Sequence, residues 1–598
     1  MTDIKLNNVQ RSMLAGELGE AKKMAMRLLV DMAAASGAAG FLPIHSAHLS
    51  GVSPLTGGFG LRRFLARLAE DPSAQVAVPT TLNAAGCDAN QFDAMRIAVS
   101  DFLEHSQEIV SLYTKLGVQP TQSCIPYEWE GVIVQGIGAW SESNAICFAN
   151  SYSGLRTNRE SGLSALACAL TGYTPKYGLL LESERAPNLE VLVTCRLDDP
   201  TDFSILGDWI GKQRKPTWRM PFGPIPLIKG LRVDLDHEQR KALTAAAANY
   251  GAPMIYLEGQ GEIPESFSLQ ESLTFGERDL ERRYKELAPR TPVSLVTIGC
   301  PQASLGEIKR TTALLRGKHV ASSPDDPSGK PPLWIFTSSA NKGIAEKLGL
   351  AKVIRESGAL LLENTCPEVV PYDQRWVRRI LTNSMKAEHY LQSGLNNIPT
   401  SVMRLSDCVT VATGEKQIKL SASVDVDVGS QDNKRDERPS ARISREVNRE
   451  AAAESRSEFH GSGLPSQEDF SITAVAFVTD TPITFLGFVN RESGVIEEPG
   501  HPADGQSIAG KIAIFPKGTG STVAPYVLLE LFYRGAAPLG IINTEIDQQT
   551  APACSLEGIP YAFGIDPDVF AQIRTGDRVE LSRQGEMVTL RRLPEHQA

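Results

Sequence analysis

A chain of 598 residues is longer than one hydrophobic core usually serves, so we expect two or more folding units. Apolar residues make up 42% and charged residues 22%, which is typical of a globular protein, and the net charge of −10 argues against a partner made of nucleic acid. The N-terminus has no signal-peptide pattern, and the apolar stretch at 24–42 contains Arg27 and Asp31. We therefore expect no membrane span and a cytoplasmic protein. Nine cysteines without dense spacing do not indicate a disulfide scaffold.

The first two thirds of the chain alternate between helical and strand-like patterns. Helical periodicity covers 12–35 and 60–69, and short apolar runs typical of strands cover 293–298, 333–336 and 359–362. Strands that alternate with helices predict an α/β fold, and the length predicts more than one lobe. We predict a large domain over residues 1–412.

The composition changes after this domain. Residues 429–469 are highly charged, rich in serine and nearly free of large apolar side chains. Such a segment cannot bury enough surface to offset the entropy lost on ordering. We predict a flexible linker over 413–470. The alternatives are a transient helix at 444–457 and a solvated helix on the domain surface.

A smaller β/α unit is predicted over 471–598. Strand-like runs occupy 474–478, 512–515 and 539–542, and a helix is predicted at Pro525–Tyr533. Ser521 falls at the glycine turn before this helix, where the helix N-terminus favours negative charge. That position suits a serine alkoxide or a bound carboxylate, and the alternative is that Ser521 only caps the helix. A phosphate-binding P-loop is disfavoured because its Gly-Lys-Ser/Thr ending is missing.

Three of the nine cysteines share a local pattern. Cys300 and Cys366 directly precede a proline and follow apolar strand-like runs, and Cys124 stands two residues before a proline. A strand that stops at a Cys-Pro turn presents its thiolate from a rigid edge. Thiolates are the usual ligands of iron–sulfur clusters. The spacing contains no CxxC, so buried and inert thiols remain the alternative at this point.

Ordered motifs along nearly the whole chain resemble the aconitase X family, the hydro-lyase branch of the aconitase superfamily, in a form that joins large and small units. In the large unit the motifs are SAHLSGVS (46–53), VPTTLNAAGCD (78–88), SCIPYEWEG (123–131), AWSESNAICFANSYSGLRTNRESG (139–162), GCPQAS (299–304), NTCPEVVP (364–371) and TNSMKAEHY (382–390). In the small unit they are IAGKIAIFPKGTGSTVAPYVLLEL and GAAPLGIIN. The resemblance implies a multi-lobed, aconitase-like large domain plus a small swivelling β/α domain, with no need for a separate small subunit.

The resemblance also implies roles for single residues. Cys124, Cys300 and Cys366 fall where the family holds its iron–sulfur cluster, with [2Fe–2S] favoured and [4Fe–4S] as the alternative. Ser521 falls where the family places its proton-accepting serine. The positions at which the family contacts its substrate are Gly51, Val52, Ser53, Asn83, Ala84, Glu142, Ser143 and Lys386.

The expected substrate is a small hydroxy acid. Family members dehydrate either cis-3-hydroxy-L-proline or mevalonate 5-phosphate, and the fused arrangement resembles the hydroxyproline branch. Thr519 stands where the family often has an arginine, and Gln302 where it often has a histidine. Loss of an arginine suits a substrate without phosphate. We expect conversion of cis-3-hydroxy-L-proline to 1-pyrroline-2-carboxylate; mevalonate 5-phosphate or another hydroxy acid is the alternative, and a non-enzymatic iron–sulfur regulator is the second.

The implied mechanism combines a Lewis acid with a base. The cluster would act as the Lewis acid and Ser521 would take the α-proton. Glu142 would position the ring nitrogen or shuttle a proton, and Lys386 would pair with the carboxylate. The alternatives are that Glu142 caps a helix and that Lys386 is a surface lysine. His45 and His48 lack a carboxylate partner for metal binding, so we interpret them as core residues or supports behind the site.

Overall fold

The computed structural model describes the chain except for residues 1–3, 130, 214–219, 221, 232–233, 265–266, 393, 416–456, 520, 548–549 and 595–598. Parallel sheets covered by helices form the large part, and a β-barrel with helices follows. The predicted α/β class, a multi-lobed large domain with a small β/α domain, is confirmed. Among the described residues, no helix has both the length and the apolar character needed to cross a membrane.

The N-terminal lobe is built around a four-stranded parallel sheet. Its strands lie in the order Thr80–Leu82, Ser46–Leu49, Gly136–Trp140 and Leu155–Arg156. Its helices are Asn8–Ala15, Glu20–Ser36, Pro54–Leu68, Phe92–Met95, Phe102–Lys115, Ser143–Tyr152 and Gly162–Thr171, and the antiparallel strands Phe41–Pro43 and Tyr173–Pro175 flank them. The predicted helical stretch at 12–35 is divided in two, because Gly16 and Gly19 adopt φ values of 85° and 101° that favour glycine.

Two further parallel sheets follow along the chain. The first has the strand order Glu271–Phe275, Leu189–Val193, Pro226–Lys229 and Tyr256–Leu257, with helices Pro200–Lys212, His237–Ala248 and Glu277–Leu287. The second has the order Leu360–Glu363, Leu333–Thr337, Leu295–Ala303, Ile380–Thr382 and Thr400–Val402. Its helices are Leu305–Leu315, Ser339–Lys347, Leu350–Glu356, Met385–Leu391 and Leu405–Ala412. The three apolar runs predicted as strands all belong to this five-stranded sheet.

The C-terminal part forms a closed seven-stranded barrel. The strand order is Glu458–Gly463, Tyr561–Phe563, Gly540–Asn543, Ile512–Phe515, Phe470–Val478, Arg578–Gln584 and Met587–Arg592. Helices Phe485–Phe488, Pro525–Tyr533, Ala551–Glu557 and Val569–Gln572 accompany it, and Ile483–Thr484 pairs with Gly518–Thr519. The predicted helix at Pro525–Tyr533 is confirmed with the same bounds.

The predicted linker at 413–470 is partly wrong. Most of it, 416–456 with the transient helix at 444–457, lies outside the described residues apart from residue 457. Its last part is ordered, since Glu458–Gly463 is a barrel strand that pairs with the C-terminal strand Met587–Arg592. Phe459 enters the barrel core. One large apolar side chain in six residues gives no sequence pattern, which explains the error.

The barrel domain is docked on the N-terminal lobe through a shared hydrophobic core. Helix Pro525–Tyr533 packs on helix Pro54–Leu68, and buried side chains of both belong to one continuous apolar cluster. Gly60 lies so close to the backbone of Glu530 that an added Cβ would overlap it. Arg491 pairs with Glu530 at 3.1 Å and donates to two backbone carbonyls of the lobe's helix at 2.8 and 3.2 Å. The contact is therefore close-packed as well as hydrogen-bonded.

A second contact ties the two domains on another side. Asp31, buried in the N-terminal lobe, accepts hydrogen bonds from the backbone N–H of Ser466 at 2.7 Å and from the hydroxyls of Ser466 and Ser555. Burial raises the pKa of Asp31, and these hydrogen bonds oppose the shift. Arg67 pairs with Glu557 through two bonds of 2.7 and 3.0 Å. The barrel is thus joined to the lobe by polar contacts as well as by the shared apolar core.

Candidate active site

Loops from the carboxyl ends of two sheets meet between the lobes. Ala85 pairs with Thr365 in a parallel bridge, and the Ser53 hydroxyl donates to the carbonyl of Val369 at 2.9 Å. The Gln302 side chain donates to the carbonyl of Thr365 at 3.0 Å. Carboxyl ends of parallel strands are where α/β proteins gather functional side chains. The segments brought together here are 50–53, 83–85, 122–124, 300–302 and 364–369.

The three cysteines predicted to hold a cluster are buried at this junction. Cys300 lies within strand Leu295–Ala303, and Cys366 follows strand Leu360–Glu363 directly after a short loop. The backbone N–H of Gln302 donates to the Cys124 sulfur at 3.3 Å. That hydrogen bond joins the Cys124 loop to the Cys300 strand, so thiols from distant parts of the chain share one junction.

Burial raises the pKa of all three thiols, that of Cys124 to about 12. Among the further causes, Cys124 raises the pKa of Cys366, and Cys366 raises that of Cys300. Lys386 lowers the pKa of all three. Burial therefore favours the protonated thiols, and Lys386 opposes this at all three.

The thiols are not arranged around a single point. Within the described part of the chain, no three His, Cys, Asp or Glu side chains are placed to hold one metal ion. Several buried polar atoms nearby have no described hydrogen-bond partner. They are Asn83 Oδ1, Gln302 Oε1, Thr365 Oγ1 and Asn383 Oδ1. Separated thiols together with unsatisfied buried polar atoms suit a group larger than one ion.

Lys386 lies at the centre of the charged groups. Its helix, Met385–Leu391, begins at Ser384, whose hydroxyl accepts the Lys386 N–H at 3.1 Å. The ammonium lies 2.8 Å from Glu142 Oε1, 2.6 Å from Asn144 Oδ1 and 3.4 Å from Glu368 Oε1. Only 2% of Lys386 is exposed, so the surface-lysine alternative is wrong. Burial lowers its pKa, but the two carboxylates outweigh this and raise it well above its ordinary value.

Glu142 does not cap a helix. It occupies the N-cap position of helix Ser143–Tyr152, but its side chain makes no capping hydrogen bond. Its carboxylate instead accepts a hydrogen bond from Asn83 Nδ2 at 2.6 Å and pairs with Lys386. Burial raises the pKa of Glu142, and Lys386 more than offsets this, so the net pKa is lowered and the group is an anion. Two residues predicted to contact substrate, Asn83 and Glu142, are thus joined.

Glu368 is a site residue that the sequence analysis missed. It lies in the turn Pro367–Val369, and its Oε1 accepts a hydrogen bond from the Cys300 thiol at 2.8 Å. Burial raises its pKa, against the effect of Lys386. The only signal in the sequence is a carboxylate two residues after Cys366, and such a residue is usually solvent-exposed.

The predicted substrate loop lies under the barrel helix. Gly51 has φ 85°, and an added Cβ would overlap the ring of Tyr526, whose hydroxyl donates to the Ser50 carbonyl at 3.1 Å. Ser53 caps helix Pro54–Leu68 by accepting the Leu55 N–H. The remaining predicted contact residues Val52, Ala84 and Ser143 are buried. Helix Pro525–Tyr533 of the small domain therefore packs directly against this loop.

Ser521 lies in the loop before helix Pro525–Tyr533 and is half-buried. It is not the helix cap, because the helix begins after Ala524, and the Ser521 hydroxyl instead accepts the Val523 N–H at 3.4 Å. The adjacent Thr522 donates to the carbonyl of Ser141 at 2.8 Å. The turn that carries Ser521 therefore contacts the residue that precedes Glu142. Among the described residues, Ser521 makes no hydrogen bond to the three thiols.

The two histidines have different surroundings. His48 is fully buried, its Nδ1 lies 2.9 Å from Thr81 Oγ1, and its Nε2 has no partner among the described residues. Burial lowers the pKa of His48 to about 4, so the ring is neutral near pH 7. His45 is exposed, so the prediction of a core role is wrong for His45.

Three family descriptions match the chain. They are Aconitase X first domain over residues 3–183, Aconitase X third domain over 293–414 and Aconitase X swivel domain over 468–590. The crystal structure of Thermococcus kodakaraensis aconitase X in its holo-form is similar, with a TM-score of 0.60 and 32% identity over 68% of this chain and 100% of that chain.

Named relatives are dehydratases, that is, hydro-lyases. The phosphomevalonate dehydratase large subunit of Methanosarcina mazei is 35% identical over 70% of this chain and 99% of its own length. The cis-3-hydroxy-L-proline dehydratase of Pseudomonas aeruginosa is 32% identical over 69% of this chain and 70% of its own length. The predicted resemblance is confirmed: the chain belongs to the aconitase X family, with the region that matches the swivel domain on the same polypeptide.

Proposed function

We propose that this protein is a hydro-lyase that converts cis-3-hydroxy-L-proline to 1-pyrroline-2-carboxylate, with an iron–sulfur cluster held by Cys124, Cys300 and Cys366. The names of its relatives support dehydration as the reaction and argue against a non-enzymatic regulator. The observation that supports this choice of substrate is the charge balance around Lys386, whose ammonium pairs with two buried carboxylates.

Glu142 and Glu368 together bring two carboxylates against the one ammonium of Lys386. Hydroxyproline is a zwitterion, so its ring ammonium can pair with a site carboxylate while its own carboxylate meets Lys386. Mevalonate 5-phosphate carries a carboxylate and a phosphate and offers no cation. Like charges brought together in a poorly screened site repel strongly. Thr519 also adds no positive charge beside Ser521.

Three buried thiols and the unsatisfied polar atoms around them fit an iron–sulfur cluster. When bound, such a cluster supplies Lewis-acid stabilisation to a carboxylate and a leaving hydroxyl. We favour [2Fe–2S], and [4Fe–4S] is the alternative, since three cysteines serve either with one position left over. The aconitase family name and a relative solved in its holo-form support an iron–sulfur cofactor in this protein.

Side chains of the protein bind the substrate and move its protons. Glu142 accepts the ring N–H and fixes the ring, and Lys386 holds the substrate carboxylate. Ser521, as the alkoxide, takes the proton from Cα. Hydroxide departs from C3 and leaves as water with the proton that Ser521 returns through solvent, and the resulting enamine tautomerises to 1-pyrroline-2-carboxylate. The barrel helix over Gly51 excludes water from the reacting carbon. Dehydration of mevalonate 5-phosphate remains the second candidate, because a phosphomevalonate dehydratase subunit is 35% identical.

The role of Ser521 is tested by Ser521→Ala in the anaerobically reconstituted full-length protein, with product formation followed by NMR. We expect a loss of at least about 100-fold in kcat, because general-base catalysis contributes on that order. Ser471→Ala, at an exposed serine of the same domain, is the control and should keep wild-type activity. Retained activity in Ser521→Ala with intact iron content would contradict the proposed base.

A further inference from the structure

The carboxylate of Glu368 lies between a thiol of the proposed cluster site and a buried ammonium. Its Oε1 is 2.8 Å from the Cys300 sulfur and 3.4 Å from Lys386 Nζ. The glutamate side chain is only 13% exposed. The turn Pro367–Val369 holds it directly after the loop of Cys366. One carboxylate oxygen of Glu368 therefore contacts both the Cys300 sulfur and the Lys386 nitrogen in the candidate site.

The Cys300–Glu368 contact places a carboxylate oxygen beside a proposed cluster ligand. A cysteine that binds metal does so as the thiolate. A metal atom bound to the Cys300 sulfur would therefore lie within reach of Glu368 Oε1, which is 2.8 Å from that sulfur. Lys386 is not a dedicated partner of Glu368, since its ammonium lies closer to Glu142 and Asn144.

We propose that Glu368 is the fourth protein ligand of the iron–sulfur cluster in the resting enzyme, beside Cys124, Cys300 and Cys366. The inference rests on the proposed function, which assigns the cluster to these thiols. Carboxylate oxygen is an established ligand type for iron. Oxygen and sulfur on one tetrahedral metal stand about 3.5 Å apart, from bonds of about 2.0 and 2.3 Å as in zinc sites. A small opening of the observed contact is enough to admit such a metal atom.

A carboxylate in the fourth position also explains how the site can be closed at rest and open to substrate. The carboxylate of the substrate replaces that of Glu368, and no electron is transferred, because one anionic oxygen ligand takes the place of another. The released Glu368 side chain stays beside Lys386, 3.4 Å away, and shares its ammonium with the substrate carboxylate. The exchange would keep solvent from the exposed iron between turnovers.

The test is electron paramagnetic resonance of the reconstituted full-length protein, reduced and without substrate, in water enriched in 17O. We expect no 17O broadening in the wild type, because Glu368 occupies the position that water would take. Glu368→Gln should gain broadening and lose iron faster to a chelator. Glu363→Gln is the matched control, since Glu363 is paired with Lys342 at 2.9 Å five residues earlier and should behave as the wild type.

Broadening in the wild type would overturn the proposal, and so would its absence in both the wild type and Glu368→Gln. A preparation that takes up no iron contradicts the proposed function instead, which separates the two failures. If Glu368→Gln does not fold, the electron paramagnetic resonance spectrum of Glu368→Cys is measured instead. A fourth thiolate should retain the cluster and shift its g values, and unchanged g values would overturn the assignment of Glu368 as a ligand.

Discussion

Lys386 is the residue on which the charge balance of the site depends. Its ammonium compensates Glu142 and Glu368 at 2.8 and 3.4 Å, and all three side chains are largely withdrawn from water. A buried charge without a partner is far more costly than an exposed one. The same group that would orient the substrate therefore also stabilises the empty site.

Lys386→Met should remove activity and lower the free energy of unfolding by about 3–5 kcal/mol, because two buried carboxylates lose their cation. Urea denaturation of the variant and the wild type measures the difference. Lys352→Met, at a lysine whose side chain is 72% exposed, is the control and should change the free energy of unfolding by less than about 0.5 kcal/mol. A Lys386→Met protein as stable as the wild type would contradict the buried ion pairs.

The lowered pKa of His48 makes the free energy of unfolding depend on pH. Its pKa is about 4 in the folded protein and 6.5 in an unperturbed chain, so between these values the unfolded state binds more protons. Stability then falls as the pH falls from 6.5 to 4, by up to about 3 kcal/mol from this residue. His48→Asn should flatten that slope in denaturation curves taken across the range. His45→Asn, at an exposed ring, should keep it, and an equal slope in His48→Asn would contradict the assignment.

Single residues were predictable from sequence where a motif marked them. The three cysteines, Ser521 and Lys386 stood in motifs that resembled a family, and the structure brings the cysteines, Glu142, Asn83 and Lys386 into one junction. Glu368 was not predictable, because its importance comes from packing against Cys300, 68 positions away in the sequence. Distant contacts of this kind leave no local pattern.

At the scale of elements, the tight docking of helix Pro525–Tyr533 on helix Pro54–Leu68 positions the Ser521 loop. Gly60→Ala should disturb it, since the new Cβ would overlap the backbone of Glu530. We expect a loss of about 1–3 kcal/mol in the free energy of unfolding together with reduced kcat. Gly343→Ala is the control, because nothing lies within 4 Å of its added Cβ, and it should be neutral or stabilising. Equal effects at both glycines would contradict close packing at this interface.

Elements with strong local signals agree with their predictions. The helix Pro525–Tyr533 and the buried strand Leu333–Thr337 were recognisable from apolar periodicity. The strand Glu458–Gly463 was not, because it is held by pairing with the far end of the chain rather than by its own apolar residues. Barrel closure is a long-range property, so the closing strand was assigned to the linker.

At the scale of the whole molecule, the barrel and the N-terminal lobe share contacts on two sides. Asp31→Ala removes the hydrogen bonds to Ser466 and Ser555 and should lower the free energy of unfolding by about 1–3 kcal/mol. Thermal or urea denaturation measures this, with Asp504→Ala at an exposed position as the control. An unchanged free energy in Asp31→Ala would mean that this contact does not hold the domains together.

The measurement that tests the proposed function most directly is kcat/KM of the iron-loaded full-length protein for cis-3-hydroxy-L-proline and, separately, for mevalonate 5-phosphate. The charge balance around Lys386 predicts a preference for hydroxyproline of at least about 100-fold, since a site built for a paired cation rejects a substrate that lacks one. A preference for mevalonate 5-phosphate, or activity on neither substrate in protein that holds its iron, would contradict the account.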